Sequence, residues 1–160
     1  MVMYERVLVP LDGSRLVEAI LPFAEKIAGP LDAEILLVRV VEPIPGAVAL
    51  ASGETGSAEA LLHDQMAAKW YLSDLAERLG QRGLRVRTFA PLGVPATEIV
   101  AVAEAEKADL VAMTTHGRSG LGRVVFGSVA EAVLRAASVP VLMFKVPAKA
   151  TAPTVEVERR

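Results

Sequence analysis

The 160-residue chain contains no cysteine, which excludes disulfides, thiolate nucleophiles and zinc–thiolate sites. Aromatic residues make up only 4% of it, and the formal net charge is −2. Few platforms therefore exist for stacking single-stranded bases, and no global field would gather a polyanion. Nucleic acid is not an expected partner. No stretch comes near the run of about 18 apolar residues that a membrane-spanning helix requires, and no membrane association is expected. The opening residues, Met1 to Arg6, lack the basic stretch and long apolar run of a secretory signal, so a cytoplasmic location is expected. The two histidines, His63 and His116, have no second ligand type at metal spacing, and no metal site is expected on them.

What is present suits a compact domain. Apolar residues make up 52% of the chain and charged residues 22%, and the length matches one ordinary domain that folds without a metal or disulfide staple. We place that domain at residues 1–146 and read residues 147–160, rich in Pro, Ala, Thr and charge, as a flexible tail.

Along the chain, short apolar runs alternate with helical periodicity, the pattern of crossover units on a parallel sheet. The continuous run Val7 to Leu11 reads as a strand covered on both faces, ending in the turn residues Asp12-Gly13-Ser14. A helix is expected from Ser14 to Ala28, with Ala19, Ile20, Phe23, Ala24 and Ile27 inward, a kink at Pro22 and a stop at Gly29-Pro30. Glu34 to Val41 reads as a second buried strand and Glu42 to Ser57 as a surface loop. The longest helix is expected over Ala58 to Leu79, burying Leu62, Met66, Leu72, Leu75, Ala76 and Leu79. Arg85 to Phe89 alternates charge with bulk, as an edge strand does. A helix from Pro95 to about Lys107 carries Ile99, Val100 and Ala103 inward. Asp109 to Thr114 forms strand four. A helix starting at Ser128 buries Ala130, Val133, Leu134 and Ala137, and strand five runs from Pro140 to Val146.

Two loops follow the most apolar strands, and in a doubly wound sheet ligands sit beyond such strand ends. In the first, Asp12 either caps the following helix or faces a ligand. In the second, Gly117, Gly120, Gly122 and Gly127 are interspersed with Arg118 and Arg123, and no acidic residue lies between Thr114 and Val129. Glycines let backbone N–H groups approach an anion, and a helix N-terminus adds about half a positive charge. Ser128 and Glu131 have the spacing of a capping box. Glycine-rich loops are also commonly plain turns, so spacing alone leaves both readings open. Neither a Gly-Lys P-loop nor an intact dinucleotide fingerprint occurs. Ser119 lacks the flanking glycine and the residue order of a hydrolase elbow.

The run from Met113 through His116-Gly117-Arg118 and Gly127-Ser128-Val129 to Phe144, together with Val7 to Ser14, closely resembles the universal stress protein family. Its ATP-binding members carry Gly, two residues, Gly, nine residues, then Gly-Ser or Gly-Thr. Gly117, the nine-residue spacing and Gly127-Ser128 match, whereas Thr114 stands where the first glycine would be. The resemblance implies an α/β fold, a doubly wound five-stranded parallel sheet of order 3-2-1-4-5 with helices on both faces. Such a fold is Rossmann-like, of the adenine nucleotide alpha hydrolase-like type. By that resemblance ATP, with Mg2+, is the ligand. Asp12 and Val40 hold base and ribose with Pro10, Leu11 and Met113, while Gly117, Arg118, Gly127, Ser128 and Val129 hold phosphates. A Thr114 side chain would narrow the approach to the sugar or first phosphate. The family also implies a homodimer through the last strand.

The second loop offers no carboxylate or amide side chain to clamp a metal or orient a nucleophile, so fast ATP hydrolysis is not expected. The resulting expectation is a nucleotide-responsive stress or signalling module rather than an enzyme. The alternative is a protein-interaction module of the same fold that binds no nucleotide.

Overall fold

The computed structural model describes residues 4–43, 56–115 and 127–145. Its strands are β1 (Arg6–Pro10), β2 (Glu34–Val38), β3 (Val86–Phe89), β4 (Leu110–Thr115) and β5 (Val141–Lys145). All pair in parallel, in the order β3-β2-β1-β4-β5. The central three carry uninterrupted apolar residues because helices cover both of their faces, the condition under which parallel sheets occur. β3 lies at an edge with Arg87 and Thr88 exposed, as its alternating sequence predicts.

The helices are α1 (Arg15–Glu18), α2 (Leu21–Leu31), α3 (Gly56–Gly80), α4 (Pro95–Ala105) and α5 (Ser128–Ala136). Successive strand residues point to opposite faces, and the core divides accordingly. Val7, Val9, Ile35, Leu37 and Ala112 pack against Val17, Ile20 and Ala24 of the α1–α2 segment and Leu72, Leu75 and Leu79 of α3. Leu8, Leu36, Val38, Val111 and Met113 pack against Ile99 and Ala103 of α4 and Ala130 and Val133 of α5.

Local chemistry overrides several sequence expectations. The helix expected over 14–28 is two helices. Ala19 and Ile20 donate back only three residues, to Leu16 O and Val17 O, which breaks the ladder. Pro22 then falls in the first turn of α2, where no intrahelical acceptor is needed, so it costs no helical hydrogen bond. Gly29-Pro30 does not stop α2. The helix closes at Asp32, which adopts φ 50, with the Asp32 and Ala33 amides donating to Gly29 O and Ala28 O at 3.2 and 2.9 Å, a Schellman-type ending. Phe23, expected inward, is exposed and stacks on Phe144 of β5 with ring centroids 4.0 Å apart.

Leu62 and Met66 were also expected inward, yet each is 59% exposed. The reason is length. Twenty-five residues of helix span about 37 Å, whereas a five-residue strand spans about 16 Å. Only the C-terminal portion, through Ala68, Leu72, Leu75 and Leu79, reaches the core. Gln65 Nε2 donates to Ala90 O, just beyond β3, at 3.1 Å, so the turns before it overhang the sheet. Leu134, also expected inward, is exposed, and Ala137, the residue after α5, is half-buried. β2 stops at Val38, short of Val41, and β4 starts one residue later than expected, at Leu110. Residues 44–55 of the expected surface loop, residues 116–126 of the glycine-spaced loop, and everything from Val146 onward lie outside the described residues.

This packing separates two otherwise similar truncations. Leu36→Ala, in a fully buried site, loses about 2–5 kcal/mol of stability. Met66→Ala, on the overhang, changes it by less than about 0.5 kcal/mol. Urea unfolding of both variants measures the contrast, and equal losses would contradict it.

Candidate functional site

The chain leaves β1 toward β2 on one side and β4 toward β5 on the other. Connections diverging from adjacent parallel strands leave a crevice beyond their C-terminal ends. A cavity of about 380 Å³ occupies that position, within the range of about 300–1,000 Å³ common to small-molecule sites.

One wall is the end of β1. The Leu11 amide still donates to Val38 O at 2.8 Å, and the chain then turns sharply. Asp12 Oδ1 accepts from the Ser14 amide at 2.8 Å, and Ser14 Oγ accepts from the Val17 amide at 3.3 Å. Gly13 adopts φ +86, the left-handed region glycine tolerates best. Ser14 is thus the helix cap, and Asp12 is not. One carboxylate oxygen of Asp12 shapes the turn, and its exposed side chain stands in the cavity wall.

Arg39, Val40 and Glu42, which follow β2, form the second wall. The Arg39 and Val41 amides donate to Phe89 O and Pro91 O at 3.0 and 2.9 Å, which fixes the segment's direction. Met113 and Thr114, both buried, supply the floor from β4. The third wall is the start of α5, where Gly127, Ser128 and Val129 line the cavity. The first helical bond there runs from the Glu131 amide to Gly127 O at 2.9 Å. The amides of Ser128, Val129 and Ala130 precede it and have no intrahelical acceptor, so they are available to an anion.

The capping box expected at Ser128 does not form. Gly127 takes the cap position with φ −64 and ψ 156, and among the described residues no side chain caps the helix. Ser128 has moved into the first turn, and Glu131 instead pairs with Arg135 at 2.7 Å. The Ser128 hydroxyl is therefore not committed to capping.

Of the eleven residues singled out from the sequence, Pro10, Leu11, Asp12, Val40, Met113, Thr114, Gly127, Ser128 and Val129 line this one cavity. Gly117 and Arg118 lie outside the described residues. Sequence reasoning missed Arg39, although its charge inside the apolar run Ile35 to Val41 was a signal. The Arg39 guanidinium carbon sits 5.1 Å from the Tyr71 ring centroid, in cation–π range. The Tyr71 hydroxyl donates to Glu18 Oε1 at 3.1 Å. Burial, then the adjacent Glu18 carboxylate, pushes the Tyr71 phenol well above its ordinary value of 10.0. Among the described residues no group of three or more His, Cys, Asp or Glu side chains could hold a metal ion by itself.

The sequence model of the universal stress protein family matches residues 3–145. The chain belongs to the universal stress protein family. Among curated universal stress proteins it is 39% identical to MJ0531 of Methanocaldococcus jannaschii over 149 residues, covering 92% of this chain and 85% of that protein. It is 28% identical to MJ0577 of the same organism, covering 90% and 96%. The solved structure of MJ0577, reported as a structure-based assignment of biochemical function, superimposes with a TM-score of 0.76 over 92% of this chain and 99% of that one. A universal stress protein solved in complex with cAMP has a TM-score of 0.64 at 22% identity, covering 91% and 100%, a likeness that carries the fold. Among the described residues, no helix of this family member is long and apolar enough to cross a membrane.

The raised Tyr71 phenol has a signed consequence. Its contribution to stability is fully present below pH 10.0 and is lost as pH climbs from there toward the higher folded-state value, because only the unfolded chain releases the proton at first. Between pH 9 and about 11, wild-type stability is expected to fall more steeply than that of Tyr71→Phe. Urea unfolding across that window checks it, and parallel slopes would contradict it.

Proposed function

We propose that the cavity binds an adenine nucleotide, ATP in the first instance, and that the protein acts as a nucleotide-responsive stress or signalling module rather than as a fast ATPase. The observation that carries this reading is the meeting, in one apolar cavity, of the Asp12 carboxylate and the α5 amides that have no intrahelical acceptor. Leu11, Val40 and Met113 offer an apolar slot for a base. Asp12 can accept from ribose hydroxyls, and the α5 amides can donate to phosphate oxygens. Gly117 and Arg118 extend the phosphate end by family resemblance. Mg2+ suits this arrangement as a companion of the nucleotide, since it keeps waters and phosphate oxygens as ligands and needs few protein groups. A universal stress protein of this fold accommodates cAMP, which agrees with an adenine nucleotide in the crevice.

Binding without turnover gives the nucleotide one role, to favour whichever conformation or assembly holds it better. β5 is one edge of the sheet with Leu142 exposed, and the family resemblance supports a homodimer contact there. Leu142→Lys is expected to lower the sedimentation-derived mass to that of one chain. A wild-type protein already monomeric at micromolar concentration would remove this part of the proposal.

Thr114, buried in the cavity floor in place of glycine, favours the second reading, an interaction module that binds no nucleotide. Isothermal titration with ATP and AMP decides between them. We expect saturable heat with ATP, a loss of about tenfold or more in Asp12→Ala, consistent with about 1.5–3 kcal/mol for a hydrogen bond to a charged group, and tighter binding in Thr114→Gly. No heat at millimolar nucleotide would favour the module. Single-turnover hydrolysis at about one per second or faster would overturn the non-enzymatic part.

A further inference from the structure

The Asp12-Gly13-Ser14 turn of the cavity wall belongs to neither strand nor helix, so its place depends on outside support. Its own bonds, from the Ser14 amide to Asp12 Oδ1 and from the Val17 amide to Ser14 Oγ, fix its shape but not its position. Position comes from a chain of contacts that closes on itself. A Cβ built on Gly13 would lie 2.9 Å from both Cζ and Nη1 of Arg39, so the guanidinium lies directly against the Gly13 backbone. The same guanidinium stands 5.1 Å from the Tyr71 ring centroid. Tyr71 belongs to α3 and donates to Glu18 at 3.1 Å, and Glu18 belongs to α1, whose cap is Ser14. Arg78, one helix turn pair further along α3, stands 3.9 Å from the same Glu18 carboxylate. Among the described residues no carboxylate lies within 4.0 Å of Arg39, so its charge is met by the aromatic face and the turn.

We propose that Arg39 is a positioning residue of the nucleotide site, holding the Asp12-Gly13-Ser14 turn against Tyr71 so that ligand affinity depends on the seating of α3. A guanidinium suits this task and an ammonium does not. It is planar, so it can lie flat on an aromatic ring and on a glycine backbone, and it is weakly hydrated. Glycine is favoured at position 13 by its φ of +86, and a Cβ there would push the Arg39 guanidinium off the turn. α3 has an overhanging N-terminal end and an exposed face that carries Leu62, Met66 and Trp70. Whatever moves that helix moves Tyr71, and through Arg39 it reaches the wall that carries Asp12. In the other direction, a ligand that fixes the turn favours one seating of α3, because coupling between two sites is reciprocal.

The affinity arm of the test rests on the nucleotide reading, and the exchange arm does not. Amide hydrogen exchange at Ser14 and Val17 is measured without added nucleotide, and ATP affinity by titration, in Arg39→Ala, Arg39→Lys, Tyr71→Leu and Tyr71→Phe. Loss of a partly desolvated cation–π contact corresponds to about a tenfold effect. Exchange at both amides is expected to rise, and ATP affinity to fall, by about tenfold in Arg39→Ala and in Tyr71→Leu. Tyr71→Phe keeps the ring and stays within about twofold, and Arg39→Lys falls between. Unchanged exchange in Arg39→Ala overturns the proposal. So does weakened ATP binding in Arg39→Ala with normal binding in Tyr71→Leu, which would make Arg39 a direct ligand contact instead. If wild-type protein binds no ATP, the nucleotide reading fails, and the exchange pattern still decides whether Arg39 positions the turn.

Discussion

The structure depends on the burial of β1 from Val7 to Pro10. Val7, Leu8 and Val9 have no exposed surface, so this strand must lie inside the sheet with a neighbour on each side and helices above and below. β2 and β4 supply the neighbours. The chain must then extend outward in two opposite directions, and the crossovers part company over the C-terminal end of β1. The crevice is therefore a by-product of satisfying the most apolar segment. The Asp12 turn and the start of α5 meet there because β1 and β4 are adjacent, although 115 residues separate Asp12 from Gly127 in sequence.

The central strands, the peripheral place of β3 and the residues collected at the cavity were legible in the sequence. Continuous apolar runs and turn residues are local signals, and the family pattern supplied the strand order. Three kinds of information were not legible. Helix ends depended on single hydrogen bonds, as at Asp32, where an αL residue closes α2 past a Gly-Pro pair that reads as a stop. Inward faces depended on how much sheet was available, which is why the periodicity of Leu62 and Met66 marks a helix but not its burial. Capping depended on which of two adjacent residues the chain entering α5 leaves outside the helix, and at α5 the glycine rather than the serine fills that role. Arg39 escaped notice because its partners come from three other segments, and no spacing rule joins Gly13, Tyr71 and Glu18.

The two ends of the cavity are prepared by different means. At α5 the donors are backbone amides, fixed by helix geometry and insensitive to side-chain choice. At Asp12 the acceptor is a side chain whose turn is held by neighbours, so its geometry can be altered from outside the cavity. A site built this way has one rigid end and one adjustable end. Such an arrangement would suit the proposed role, in which a ligand is read rather than converted, since a responsive wall lets occupancy and conformation inform one another.

The overhang of α3 carries a consequence for local stability. Before Gln65, which bonds to Ala90, no residue of described burial belongs to the core, although Leu61 is half-buried, and among the described residues these turns rest chiefly on intrahelical bonds, which are marginal in water for short segments. One continuous helix therefore spans two regimes. Its C-terminal part opens only with the whole domain, while its free end frays at little cost. Protease cleavage in the native state is expected to begin on that end and stop near Ala68, where the first core residue of the helix is buried.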